Sequence, residues 1–146
     1  GIGAWGECLP YHDNQMFLNH DERDKWGQPT VTFNCEWKEN EYSMRKDMMA
    51  SAVEMLEAAG LREVTPFDNV SAPGLCIHEM GTARMGRDPK TSVLNAWNQV
   101  HTVPNVFVTD GACMTSSSCV NPSLTYMALT ARACDHAVSE MKKLNL

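Results

Sequence analysis

The stretch that decides the fold is Cys76-Ile-His78-Glu-Met-Gly81-Thr82-Ala-Arg-Met85-Gly86. Two shorter segments follow it, Val108-Thr-Asp110-Gly111 and Asn121-Pro122-Ser-Leu-Thr125. The first segment predicts a strand that runs into a turn, the second the end of a buried strand, and the third the start of a long helix. The sequence therefore predicts a site built where the ends of three elements meet.

Upstream of this stretch, the sequence predicts a hairpin and a helix. Residues 15–18 and 30–37 have strand patterns, and Val31, Phe33, Cys35 and Trp37 alternate on one face as in a half-buried strand. The polar connection between them ends in Gly27, which favours an antiparallel hairpin. From about Glu41 a helical period of apolar residues predicts core packing, and Gly60 is placed to end that helix: Met44, Met48, Ala52, Met55, Leu56 and Ala59.

The rest of the chain predicts three further strands and a second helix. We expect strands at 61–65, 75–79 and 105–110, a loop at 66–74, and irregular structure over 81–95. The helix at 122–142 has a small-residue face that we expect to pack in a core: Leu124, Met127, Ala128, Ala131, Cys134, Ala137 and Val138. This order of elements predicts an α+β fold.

The composition argues against nucleic-acid binding and membrane insertion as functions of the chain. The 146 residues are 43% hydrophobic, as in a globular protein, and they carry a net charge of −6. The basic residues are scattered, which argues against a nucleic-acid or anionic-membrane surface. No apolar run approaches the roughly 18 residues that a membrane span requires. The sequence leaves the cellular location open.

The six cysteines do not follow the spacing of a zinc ribbon or a compact disulfide scaffold. Cys113 and Cys119 are close enough in sequence for a local disulfide, and the sequence leaves that question open. An alternative hypothesis is a metal-binding domain that uses Cys76, His78, Cys113 and Cys119, although these positions match no common zinc-finger spacing. A non-catalytic interaction module is a second alternative.

His78 is the first candidate for chemistry. A single histidine on a strand is often structural, but the Gly81-Thr82 turn after it allows the backbone to fold tightly behind the imidazole. Histidine also has the side-chain pKa best suited to accept a hydroxyl proton near neutral pH. His101 is expected to be structural, and the three remaining histidines are expected at the polar surface: His12, His20 and His136.

Asn121 and Asp110 each have a structural and a functional interpretation. Asn121 is expected to cap the long helix, with Pro122 in its first turn, and a helix start presents N–H groups such as that of Ser123 to an anion. Asp110 is a strand-end residue that can cap nearby N–H groups. The alternative is that Gly111 lets the backbone approach a cofactor closely.

With these motifs, residues 76–138 resemble the C-terminal region of the glucose-methanol-choline (GMC) family of FAD-dependent oxidoreductases. The resemblance implies that His78 accepts the proton and that Asn121 takes the place of the second catalytic residue. It also implies that the flavin lies against Asp110, Gly111, Asn121, Pro122 and Ser123. Asn121 departs from members that carry a second histidine there, so the acid–base roles of a His/His pair are not expected.

The resemblance implies an enzyme that oxidises a small alcohol or sugar with FAD. No glycine-rich phosphate-binding turn occurs in the chain, so the N-terminal remainder of the same protein is an expected partner, and an electron-acceptor protein is another. Residues 1–80 are then expected to belong to a substrate domain, and residues 81–146 to a crossing segment and the end of an FAD-binding α/β domain. Alone, the chain is expected neither to retain FAD tightly nor to turn over.

Overall fold

Two long helices and two small antiparallel sheets make up the regular structure of the chain, which is α+β as predicted. The computed structural model describes all residues, Gly1–Leu146. It divides into two units, Gly1–Leu75 and Cys76–Leu146. No helix combines the length and the apolar character needed to cross a membrane. The assignment of residues 1–80 and 81–146 to a substrate domain and an FAD-binding domain stays a prediction.

The first unit begins with a hairpin of β1 (Gln15–Arg23) and β2 (Pro29–Asn34), which confirms the predicted antiparallel pairing. Asp24 closes the turn, because its carboxylate accepts hydrogen bonds from the Trp26 and Gln28 N–H groups. The prediction of a half-buried strand is wrong, since Val31 is 49% exposed and Phe33 72% exposed. Alternation identifies the apolar face of a strand, but nothing in this chain covers that face.

Helix α1 (Glu39–Ala58) follows the hairpin, and Gly60 ends it in a left-handed conformation with φ +89°, as the sequence predicts. Its methionine face is only partly buried, because Met55 remains 61% exposed. The strand predicted at 61–65 does not form, and these residues are irregular. Between residues 61 and 74, only the loop predicted at 66–74 is confirmed.

Glu41 is the buried polar centre of the first unit, with 2% of its surface exposed. Its two carboxylate oxygens accept hydrogen bonds from the Leu9 N–H at 2.9 Å, the Lys38 N–H at 3.0 Å and the Tyr11 hydroxyl at 3.0 Å. Burial alone would raise the pKa of this carboxyl, but the hydrogen bonds outweigh it and lower the pKa to about 2. The charged carboxylate thus joins the N-terminal segment to the start of α1.

The second unit contains a short hairpin of β3 (Gln99–Val100) and β4 (Val103–Phe107), followed by α2 (Ser123–Lys142). The strand predicted at 75–79 is wrong: this segment is irregular, and His78 has a positive φ that no regular strand accommodates. The buried strand predicted at 105–110 is also wrong in part, because β4 lies at 103–107 and is mostly exposed. The irregular segment at 81–95 is as predicted, apart from isolated bridges at Met85 and Leu94.

Asn98 is the fully buried polar residue around which the second unit is packed. Its side-chain N–H donates to the Val108 carbonyl at 3.0 Å, and its side-chain oxygen accepts from the Arg132 guanidinium at 3.1 Å. These bonds connect the loop before β3, the end of β4 and helix α2. Apolar neighbours in the same core are Leu94, Cys113 and Ala133.

Helix α2 has the predicted position, but the predicted burial of its apolar face is wrong. Leu124 is 78% exposed, Met127 67% and Val138 49%. The buried residue of α2 is Ala133, which lies on another face of the helix. The small-residue stripe that the sequence assigns to a core is therefore exposed in this chain: Leu124, Met127, Ala128, Ala131, Cys134 and Val138.

Candidate functional site

A cleft of about 390 Å³ in the second unit contains three of the residues that the sequence singles out. His78, Asp110 and Gly111 line it, and Tyr126 of α2 forms part of its wall. Its complete lining is His78, Glu79, Thr82, Asp110, Gly111, Ala112 and Tyr126. The structure thus brings the histidine segment, the aspartate turn and the last helix to one place.

His78 lies on an irregular segment in a left-handed backbone conformation, with φ +64°. This conformation is costly for a residue with a Cβ, and such residues concentrate at functional sites. The residues after it are tied to the Asp110 turn, because the Ala83 N–H donates to the Ala112 carbonyl and the Met85 N–H to the Cys113 carbonyl, each at 2.9 Å. The turn after His78 is therefore anchored, as the glycine pattern suggests. His78 itself is half-buried and makes no hydrogen bond within the chain.

Asp110 caps the short 3₁₀ turn Gly111–Cys113. One of its carboxylate oxygens accepts a hydrogen bond from the Ala112 N–H at 3.0 Å, and its own carbonyl accepts from the Cys113 N–H at 3.2 Å. The capping interpretation of Asp110 is thus confirmed. The side chain remains exposed at the rim of the cleft, so it is also accessible to a ligand.

Gly111 is required by packing within the chain. A Cβ at this position would lie 2.5 Å from the Glu79 carbonyl oxygen and 2.8 Å from the Tyr126 hydroxyl oxygen. Real Cβ atoms do not approach other heavy atoms that closely. The close approach expected at Gly111 therefore occurs, and its partners in this chain are the segment after His78 and helix α2.

Tyr126 is the site residue that the sequence reasoning missed. Burial raises the pKa of its phenol, and the nearby Cys113, Asp110 and Glu79 raise it further, so the group is a neutral hydroxyl near pH 7. It follows Asn121 by five positions and lies outside the apolar stripe of α2. An aromatic residue off the apolar face, just inside a helix that begins at a candidate site, was the available signal.

Asn121, Pro122 and Ser123 do not line this cleft. Helix α2 begins at Ser123 with Pro122 in the capping position, and no side chain caps it, so the prediction of Asn121 as the N-cap is wrong. The Asn121 side chain is exposed and makes no hydrogen bond within the chain. The first helical hydrogen bond runs from the Tyr126 N–H to the Pro122 carbonyl, so the N–H groups ahead of it lack helical partners.

All six cysteines are free thiols in the structure, including Cys113, which is buried, and Cys119, which is exposed. Burial raises the pKa of the Cys113 thiol. No three His, Cys, Asp or Glu side chains are grouped in a way that could hold a metal ion. The alternative metal-binding domain therefore has no ligand cluster in this chain.

The other four histidines do not line the cleft. The His101 ring lies 3.0 Å from the Ser92 hydroxyl, in agreement with its expected structural role. His12 and His20 are exposed, as predicted. His136 is a correction, because it is half-buried and stacks on Trp97 with ring centroids 4.6 Å apart. Its helical spacing alone gives no sign of that aromatic partner.

The cleft that His78, Asp110 and Tyr126 line is the candidate functional site of the second unit. Comparison with known proteins gives the family. The family model for GMC oxidoreductases matches residues 10–130, and the chain belongs to that family. The resemblance inferred from the motifs is thereby confirmed.

The relatives that the chain matches include dehydrogenases and an oxidase. The chain is 39% identical over 135 residues to 2-methyl-1,2-propanediol dehydrogenase of Mycolicibacterium austroafricanum, a match that covers 92% of this chain and 24% of that protein. It is 32% identical over 149 residues to the fructose dehydrogenase large subunit of Gluconobacter japonicus, covering 97% of this chain and 26% of that subunit. Paromamine 6'-oxidase of Streptomyces fradiae is 33% identical over 124 residues, covering 85% and 23%. The chain thus spans about a quarter of the length of these relatives.

Proposed function

We propose that this chain supplies the proton acceptor and part of the flavin surface of an FAD-dependent oxidoreductase that oxidises a CH–OH group. His78 accepts the hydroxyl proton of a small alcohol or sugar. The observation that carries this proposal is the cleft in which His78, in its left-handed conformation, faces the same space as Asp110 and Tyr126. Membership of the GMC family and the activities named for the relatives support the substrate class.

Oxidation of an alcohol to a carbonyl removes a proton from oxygen and a hydride from carbon. Bound FAD supplies the hydride acceptor. The imidazole of His78 takes the proton, because a histidine ring nitrogen can act as a general base and this ring has no hydrogen bond within the chain to compete. Asn121 has a free carboxamide, which is suited to orient the substrate hydroxyl toward the base.

The residues present fit one part of FAD. The first N–H groups of α2, near Ser123, have no side-chain cap and lie at the positive end of a 20-residue helix, which suits the anionic edge of a reduced flavin. Asp110 uses one carboxylate oxygen as a cap and has acceptor capacity left for a ribityl hydroxyl. We therefore propose Asp110, Gly111, Asn121, Pro122 and Ser123 as flavin-contacting residues.

The chain does not fit the whole cofactor. It has no glycine-rich turn for the pyrophosphate, so we propose that this group binds to the N-terminal remainder of the protein. In this proposal, residues 1–80 belong to the substrate domain, residues 81–146 complete the FAD-binding domain, and the chain alone neither retains FAD tightly nor turns over. An electron-acceptor protein is a further proposed partner.

Replacement of His78 tests the proposal. In the full-length, FAD-loaded protein, we expect His78→Gln to lower the rate of flavin reduction by an alcohol about 10²-fold or more while bound flavin stays near the wild-type level. The matched control is His101→Gln, which removes another half-buried imidazole of the same unit, outside the cleft. Equal flavin reduction by His78→Gln and the wild type would show that His78 is not the base.

A further inference from the structure

Tyr126 lines the cleft but has no part in the proton transfer described above. A Cβ added to Gly111 would lie 2.8 Å from the Tyr126 hydroxyl oxygen and 2.5 Å from the Glu79 carbonyl oxygen. The hydroxyl makes no hydrogen bond within the chain. The Glu79 backbone and the Tyr126 side chain therefore pack so closely against Gly111 that one additional carbon atom does not fit between them.

We propose that Tyr126 is a positioning residue for His78, and that its phenol holds the His78–Glu79 segment in place against Gly111. This inference rests on the proposed function, in which His78 accepts the substrate proton. Glu79 follows His78 directly, so a shift of its carbonyl moves the backbone that carries the imidazole. Tyr126 belongs to the rigid helix α2 and is therefore a fixed wall for that segment.

His78 needs such a wall because no hydrogen bond holds its imidazole, although the Cys76 thiol donates to the Glu79 carboxylate at 3.4 Å within the same segment. Its left-handed backbone is intrinsically unfavourable and persists only when neighbouring groups hold it. It makes no hydrogen bond within the chain, so packing alone sets the direction of the ring. The backbone bonds that anchor this loop begin at Ala83, five residues further along.

The position of the base affects the rate of proton transfer more than it affects substrate binding. A displacement of about 1 Å from the productive geometry costs up to 10²-fold in rate. Loss of the wall should therefore lower the rate of flavin reduction and leave the KM nearly unchanged. A purely structural tyrosine would instead lower thermal stability and flavin content while the rate per bound flavin stayed constant.

The test uses the full-length, FAD-loaded protein with Tyr126→Phe, which removes only the atom nearest to Gly111, and Tyr126→Leu, which removes the ring. We expect the rate of flavin reduction per bound flavin to fall about tenfold in the first variant and about 10²-fold in the second, with KM within about twofold. Tyr42→Phe is the matched control, because Tyr42 lies in the other unit and its variant should behave as the wild type.

A second readout does not depend on turnover. Diethyl pyrocarbonate modifies histidine rings, and mass spectrometry of the peptide containing His78 reports how freely that ring moves. We expect faster modification of His78 in both Tyr126 variants and unchanged modification of His101. If Tyr126→Leu fails to fold, Tyr126→Phe still gives both measurements.

The outcomes separate the two proposals. If His78→Gln abolishes flavin reduction while both Tyr126 variants keep the wild-type rate per bound flavin and the wild-type modification of His78, the positioning role is overturned and the proposed function stands. If His78→Gln reduces flavin normally, both are overturned. Lower thermal stability with an unchanged rate per bound flavin would also overturn the positioning role.

Discussion

Replacement of Glu41 by glutamine should loosen the junction between the N-terminal segment and α1. The two carboxylate oxygens accept hydrogen bonds from two backbone N–H groups, the Tyr11 hydroxyl and the Asn40 side-chain N–H. A carboxamide keeps only one oxygen and presents an N–H group where the second oxygen stood. At least one part-buried backbone donor, either the Leu9 N–H or the Lys38 N–H, then loses its acceptor.

The magnitude follows from the pKa of Glu41, which folding lowers from 4.5 to about 2. Each pKa unit corresponds to 1.36 kcal/mol, so the charged form contributes about 3 kcal/mol of folding free energy above pH 4.5. Because the folded-state pKa is lowered, this contribution is complete above the unfolded value and is lost as the pH falls from 4.5 toward 2. Glutamine retains some of these hydrogen bonds, so we expect Glu41→Gln to cost about 2 kcal/mol near pH 7.

Hydrogen exchange measured by mass spectrometry on the full-length protein gives the free energy of local opening for peptides covering residues 8–45. Glu39→Gln is the matched control, because Glu39 lies in the same first turn but accepts only from the Ser43 hydroxyl at the surface. We expect Glu41→Gln to lower the opening free energy by about 2 kcal/mol and Glu39→Gln by less than about 0.5 kcal/mol. Equal effects of the two substitutions would refute this account of Glu41, as would wild-type stability that stays flat between pH 5 and pH 3.

Substitutions at Gly111 and Asn98 test the packing of the second unit. Gly111→Ala should destabilise the full-length protein by about 1–3 kcal/mol, since the Glu79 backbone carbonyl and the Tyr126 side chain must move to admit the Cβ, whereas Gly74→Ala has open space and meets only backbone strain of about 1 kcal/mol. A thermal-unfolding midpoint for Gly111→Ala equal to that of the wild type would contradict the clash. Asn98→Ala should cost about 2–3 kcal/mol, because it leaves the Arg132 guanidinium without its buried acceptor, and Asn98→Asp should recover part of the loss. If the aspartate variant is no more stable than the alanine variant, the Arg132 contact is not the source of the effect.

The two helices and the first hairpin could be predicted because their signals are local. Helix α1 shows a helical period of apolar residues that ends at Gly60, and the polar turn before Gly27 specifies a hairpin. The burial of these elements could not be predicted, because a periodic pattern shows which face is apolar and not whether another part of the same chain covers it. Phe33 and Leu124 are exposed for this reason, in a chain that spans about a quarter of its relatives.

Part of the site could also be predicted, because its motifs are local in sequence. His78 and Asp110 stand out by motif, and the cleft brings them together. The left-handed backbone of His78 could not be predicted from the sequence, because histidine, unlike glycine, is not typical of that conformation. The short apolar run around it has the pattern of a strand. The role of Tyr126 in the cleft could not be predicted, because its close approach to Gly111 joins positions that are distant in sequence, and local sequence patterns do not report such contacts.

The central claim is that the His78 imidazole and the Asn121 carboxamide act together at one flavin. The most direct measurement is a crystal structure of the full-length protein with FAD and an unreactive substrate analogue. We predict that both side chains lie on the same face of the flavin ring, each within about 3 Å of the analogue hydroxyl. A structure with His78 and Asn121 on opposite sides of the ring, or with either one out of reach of that hydroxyl, would contradict the account.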